Sequence, residues 1–156
     1  MPPSGAQLLD EALSPERVFL TQARHKEELL HQLVDQMPIS GEIQDIEALR
    51  AAIFLRESLM STGIGLGVGV PHARISSVRH MVVAVAKNER PLIDYESIDG
   101  QPVQLVFMVA GRPDHQSNYV RMLAVLSRMV KDPETHASLL AASDTDSLFK
   151  AIRNAL

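Results

Sequence analysis

The chemistry of this chain gathers around one histidine that closes a glycine-rich run. Residues Ser61 to Gly69 read STGIGLGVG, and Val70-Pro71-His72-Ala73-Arg74 follows directly. Gly63, Gly65, Gly67 and Gly69 alternate with Ile64, Leu66, Val68 and Val70, the period of an extended chain. Backbone at glycine can approach a ligand closely, so the N–H groups around Gly63, Gly65 and Gly67 are candidates to hold an anion, phosphate being the natural one. A histidine with a pKa near ~6.5 is largely neutral at physiological pH, and its bare ring nitrogen can attack phosphorus. Transfer of a phosphoryl group between two nitrogens needs positioning and stabilisation of charge on the equatorial oxygens. Backbone N–H groups and an arginine can supply both, and the chemistry calls for neither metal nor any other cofactor. On spacing alone a second reading stands beside this one, in which His72 is an ordinary loop histidine and the glycines only make a tight bend.

The familiar nucleotide loops do not fit this segment. No Lys-Ser/Thr pair follows the glycines, and Gly65-x-Gly67-x-x-Val70 lacks the third glycine of a dinucleotide fingerprint. The element before it is a predicted helix, whereas both motifs require a strand. On that helix Ile46, Leu49, Ile53, Arg56 and Met60 fall on one face, so Arg56 interrupts an apolar stripe. Its guanidinium there must snorkel, pair with a structural carboxylate, or clamp a phosphate bidentately. His25, His31 and His136 lie in predicted helices among polar residues and read as solvated surface, while His80 precedes a strand. No set of histidines has the spacing of a zinc site, and no metal is predicted.

These groups must be positioned by a single domain over residues 1–156, of which 46% are hydrophobic and 22% charged. The net charge of -4 is spread over mixed signs, with no basic stripe for nucleic acid. The chain has no cysteine, which removes thiol chemistry and suits a reducing, cytoplasmic setting. Residues 1–6 read as a flexible polar tip rather than a signal peptide. Met81 to Ala86 and Leu105 to Gly111, the longest apolar runs, fall far short of the roughly 20 residues that span a membrane, so no membrane insertion is expected.

Helices are predicted over Ala6 to Leu13 with Ser4 as cap, over Arg24 to Met37, and from a cap at Asp45 to about Met60. Strands are predicted at Val18 to Leu20, Met81 to Ala86 and Gln104 to Ala110, the last buried on both faces. Asp99-Gly100 marks a turn. Three helices close the chain, over Gln116 to Lys131, from Pro133, and over Asp144 to Ala155 with Ser143 as cap. Helices before, between and after a few strands imply a sheet covered on both sides.

The run from Arg56-Glu57-Ser58 through the glycines to Pro71-His72-Ala73-Arg74 resembles the signature of mannitol/fructose-class enzyme IIA domains of the bacterial phosphotransferase system, including their nitrogen-regulatory branch. The resemblance continues through Ile98-Asp99-Gly100-Gln101-Pro102-Val103 and covers the chain from Leu8 to Ile152. It implies an α+β three-layer sandwich, a mixed sheet flanked by helices on both faces. It also implies that His72 accepts phosphate from the histidine-containing phosphocarrier protein, that Arg56 contacts the phosphoryl group, and that a IIB-type acceptor or a regulatory target is the next partner. Two positions depart from the family pattern. Leu66 stands where asparagine is usual, and the second active-site histidine aligns with Tyr119, with His115 close upstream as a candidate substitute. A tyrosine can donate to a phosphate oxygen but brings no positive charge. With no IIB or IIC domain attached, the resemblance fits a regulatory binding module as well as a sugar carrier, and the two departures also admit a member with impaired phosphorylation.

Overall fold

The computed structural model describes residues 2–156. Four of its α-helices begin at a side chain that satisfies free N–H groups, Ser4, Asp45, Asp132 and Asp144, whereas the helices after His25 and His115 have no such side-chain cap. Helix α1 (Gly5–Ala12) opens with a capping box between Ser4 and Gln7, so Gly5 and Ala6 belong to a helix and not to the expected flexible tip. Met1 lies outside the described residues. Helix α2 (Lys26–Gln36) buries Leu29, Leu30, Leu33 and Val34 and gives way to a short 3-10 turn at Pro38. Helix α3 (Ile46–Leu59) is capped by Asp45, which accepts from Ala48 N–H at 3.0 Å. Helices α4 (Gln116–Lys131), α5 (Pro133–Ala141) and α6 (Thr145–Asn154) complete the set. The cap of α6 is Asp144 in a capping box with Ser147, rather than Ser143, because only Asp144 aims its carboxylate at the Ser147 N–H.

The strands are β1 (Val18–Thr21), β2 (Gly63–Gly65), β3 (Val68–Gly69), β4 (His72–Arg74), β5 (Val82–Leu92) and β6 (Val103–Gly111). They form one mixed sheet in the order β1-β5-β6-β3-β2, with β4 also pairing with β6 beyond the end of β3. Strands β1 and β5 are parallel, β5 and β6 antiparallel, and β3 and β4 both run parallel to β6. Alternation along β6 divides the core. Leu105, Phe107 and Val109 face α1, α4, α5 and α6, while Val106, Met108 and Ala110 face α2 and α3. The expected sheet between two helical layers is the one observed, and β6 is buried on both faces as its continuous apolar run requires. Among the described residues, no helix is long and apolar enough to cross a membrane.

The glycine-rich segment differs from its expected form. It does not continue as one extended loop but doubles back as the hairpin β2–β3, with Leu66 (φ 59°) and Gly67 (φ 75°) both in the left-handed region. Two consecutive positive φ values make the tight two-residue turn whose twist matches the strands it joins. Glycine meets that requirement without strain, whereas Leu66 does not.

Candidate functional site

His72 is the first residue of β4, half-buried, and both of its flanks are tied down. Pro71 C=O accepts from Val109 N–H of β6 at 2.9 Å, and His72 lies opposite Val109 in the parallel register. The Nδ1 of His72 is 2.7 Å from Val70 C=O. A carbonyl only accepts, so Nδ1 carries the proton and the lone pair belongs to Nε2. Burial lowers the His72 pKa, with Arg56 and then Arg74 adding to the effect against the Val70 hydrogen bond. The balance shifts the imidazole towards its neutral form.

A buried polar cluster fixes Val70 in turn. Val70 N–H donates to Thr62 C=O at 3.0 Å, and Thr62 N–H donates to the Glu57 carboxylate at 3.2 Å. The Thr62 hydroxyl also bonds Glu57, and the Tyr95 hydroxyl lies 3.2 Å from Glu57 and 2.9 Å from Thr62. Burial pushes the Tyr95 phenol well above its usual pKa, so it stays protonated as a donor. Lys26 of α2 balances the charge, 3.1 Å from Glu57 and 4.4 Å from the centre of the Tyr95 ring. Sequence reasoning missed this cluster. Glu57 is only 8% exposed because it continues the buried Leu49, Ile53 row one position after Arg56, and that i, i+4 spacing was the available signal.

Arg56 and His72 share a recess of about 230 Å³, with Thr62, Ile98, Leu123 and Ser127 also on its walls. Arg56 donates to the Met60 carbonyl at 2.7 Å, and among the described residues no carboxylate pairs with it. Of the three outcomes open to this guanidinium, the structural ion pair is absent among the described residues, and the side chain reaches back to the helix end while lining the recess. Tyr119, on the inner face of α4, meets His72 edge-on with ring centroids 5.8 Å apart. The ring is buried, and burial raises the phenol pKa, so its hydroxyl is a donor only in the protonated form. No protein group hydrogen-bonds that hydroxyl among the described residues.

The glycines behave differently from one another. Gly63 lines the recess, and a Cβ there would stand 2.2 Å from Glu96 C=O, so the residue must be glycine for packing reasons. Gly65 and Gly67 are not brought to His72. They form the hairpin turn, where Gly65 N–H donates to the Ser97 hydroxyl at 2.9 Å and Leu66 N–H to Asp99 at 2.9 Å. A carboxylate at this tip is the wrong partner for a phosphate site. His136 of α5, expected as plain solvated surface, instead holds the turn, its Nε2 donating to Leu66 C=O at 2.7 Å. His115 stands at the start of α4, exposed beside Asp114 at 4.0 Å, and does not replace a second imidazole at the recess.

A fold in which a mixed sheet holds one histidine under α4, with an arginine at the end of α3, matches a known class. The chain belongs to the family described as the phosphoenolpyruvate-dependent sugar phosphotransferase system, EIIA 2, whose model matches residues 11–155. Among individual relatives, the fructose-specific EIIABC component of the phosphotransferase system of Bacillus subtilis is 34% identical over 131 residues, which is 84% of this chain and 20% of that longer protein. The nitrogen regulatory protein IIA-Ntr of Neisseria meningitidis superposes with a TM-score of 0.83 at 22% identity, covering 93% of this chain and 99% of the other. Enzyme IIA for mannitol from Escherichia coli, solved in complex with phosphorylated enzyme IIB, superposes at 0.75 with 20% identity, covering 91% and 97%.

Proposed function

We propose that the chain is a cytoplasmic phosphoryl carrier whose acceptor atom is Nε2 of His72. The observation that carries this reading is the 2.7 Å bond from Nδ1 to Val70 C=O, which leaves the other nitrogen unprotonated on a ring that lines the recess shared with Arg56. The donor is a phosphohistidine on the histidine-containing phosphocarrier protein. His72 Nε2 attacks phosphorus, the donor P–N bond breaks, and its electron pair returns to the donor nitrogen. A donor ring protonated on its other nitrogen leaves as neutral imidazole, and His72 becomes the phosphoimidazolium with its Nδ1 proton held by Val70. Arg56 and the Tyr119 hydroxyl balance charge on the equatorial oxygens. The group then passes to a IIB-type acceptor, as the pairing of the mannitol relative with its IIB suggests. Incubation with phosphoenolpyruvate, enzyme I and the phosphocarrier, followed by intact mass measurement, tests it. One acid-labile phosphoryl group is expected on the wild type and none on His72→Ala, and labelling that persists in the variant would sink the assignment.

A second reading, regulation of a target protein through the same face, is favoured by the apolar rim of the recess. Ile98 on its wall is 84% exposed, more than a simple relay surface in solvent calls for. Phosphorylation would add about -1.5 to -2 charges to that surface and weaken a complex formed on it. Capture of partners by wild type, His72→Ala and His72→Asp tests this reading. The same partners at the same yield on all three would leave only the relay.

A further inference from the structure

We propose that Arg74 is a second guanidinium of the phosphoryl site, presented to the group on His72 by the ring of Tyr119. The inference rests on the assignment of His72 as acceptor and concerns a residue to which that assignment gives no role. His72 and Arg74 are two apart on β4 and so project from the same face of the strand. The Arg74 guanidinium carbon sits 5.1 Å from the centre of the Tyr119 ring, and the ring meets His72 at 5.8 Å. Tyr119 therefore lies against both side chains, and the charge of Arg74 is felt at both His72 and the Tyr119 phenol, together with that of Arg56.

The placement is built into the sheet. Arg74 is opposite Gly111 in the parallel pairing of β4 with β6. A Cβ on Gly111 would come within 2.8 Å of Tyr119 Cδ1 and 3.7 Å of Arg74 Cγ, so the glycine leaves the space in which the ring and the arginine stem pack. Among the described residues Arg74 makes no hydrogen bond and no ion pair, and its five N–H donors remain for an anion. Arg74 is exposed, so water can satisfy its charge, and it is the packing of its guanidinium on Tyr119 beside His72 that points to a role at the site. A tyrosine at position 119 brings no charge of its own, and Arg74 against its ring supplies one.

The test uses the full chain and phosphoramidate as a small phosphoryl donor, so that no partner protein enters the result. Labelling of His72 is followed by intact mass for wild type, Arg74→Gln and Arg74→Lys, and the phosphoryl group is then titrated by phosphorus NMR. Removing a nearby cation should slow labelling at least tenfold in Arg74→Gln and raise the phosphoryl pKa by roughly one unit, a tenfold gain in proton affinity. Arg74→Lys should restore the phosphoryl pKa and only part of the rate, since an ammonium keeps the charge without the fork. A wild-type rate and an unshifted titration in Arg74→Gln, with His72 labelled normally, would overturn the role of Arg74 alone. A wild type that takes no phosphoryl group on His72 would overturn the acceptor assignment and this inference with it.

Discussion

Replacing Glu57 should damage both stability and the proposed transfer, because one buried carboxylate anchors the strand that carries His72. Glu57→Ala leaves the Lys26 ammonium without its 3.1 Å partner and deprives Thr62 N–H and the Tyr95 hydroxyl of an acceptor. Breaking a buried pair from one side costs about 3–5 kcal/mol, and each stranded donor adds about 1–3. Lys26 can swing towards water and the terms overlap, so the net loss should be near ~4 kcal/mol, a large part of the roughly 5–15 that holds a domain together. Glu57→Gln keeps the shape and one acceptor oxygen but turns an amide towards Lys26, and should cost about 2 kcal/mol. The functional effect travels through Thr62 C=O and Val70 to His72 Nδ1. A shift of about 1 Å in the acceptor can cost on the order of 100-fold in rate. Urea unfolding curves give the stability change, and labelling by the phosphocarrier under fully folded conditions gives the rate. Glu57→Ala within about 0.5 kcal/mol of wild type, or Glu57→Gln transferring at the wild-type rate, would refute the reasoning.

Three further outcomes are expected. Burial lowers the His72 pKa, so the transfer rate should hold steady near neutrality and fall on acidification with a midpoint below the ordinary ~6.5, and stability should decline in the same window because the unfolded chain takes up the proton first; a midpoint at or above ~6.5 in a rate profile from about pH 5 to about 8 would contradict the buried, neutral imidazole. Leu66→Asn should relieve the left-handed strain at φ 59°, raising stability by about 1 kcal/mol and the melting temperature by roughly 2–4 °C, and an unchanged calorimetric midpoint would show that Leu66 is not strained. Arg56→Lys should slow labelling by about tenfold or more with an unaltered melting temperature, since an ammonium cannot reproduce a bidentate clamp, and a wild-type rate would make Arg56 a structural residue.

The parts of the fold that sequence patterning revealed are those where a local rule and the tertiary environment agree. The continuous apolar run of β6 has to be central, and Ser4, Asp45 and the proline after Asp132 announce their helices. The hairpin was not legible because its turn carries Leu66-Gly67 in place of the Asn-Gly that normally signals it. Glu57 was hidden because the row from Ile53 can continue through either Arg56 or Glu57, and a glutamate on a helix reads as surface. Tyr95, Ser97 and Asp99 sit in a segment with only turn signals, and what draws them to β2 is the pairing of Gly63 with Ser97. His72 and Arg56 were visible as a chemically reasonable pair. The meeting of Arg74, Gly111 and Tyr119 was not, since it depends on strand register.

The strand that bears His72 has a consequence for how the chain acquires its chemistry during synthesis. Among the described residues β4 pairs only with β6, at Val109 to Gly111, and β3 likewise leans on Leu105 and Val106. A nascent chain that has extended just past the glycines therefore holds His72 on an unpaired stretch of backbone. Only when residues 103–111 have emerged can Pro71 and His72 be tied down, and only with α4 does the Tyr119 ring arrive against them. Local helices can form early, but the reactive geometry is a late, long-range event. Competence to take a phosphate would then report that the sheet has closed, and a chain stalled or cleaved before β6 would carry the motif without the function.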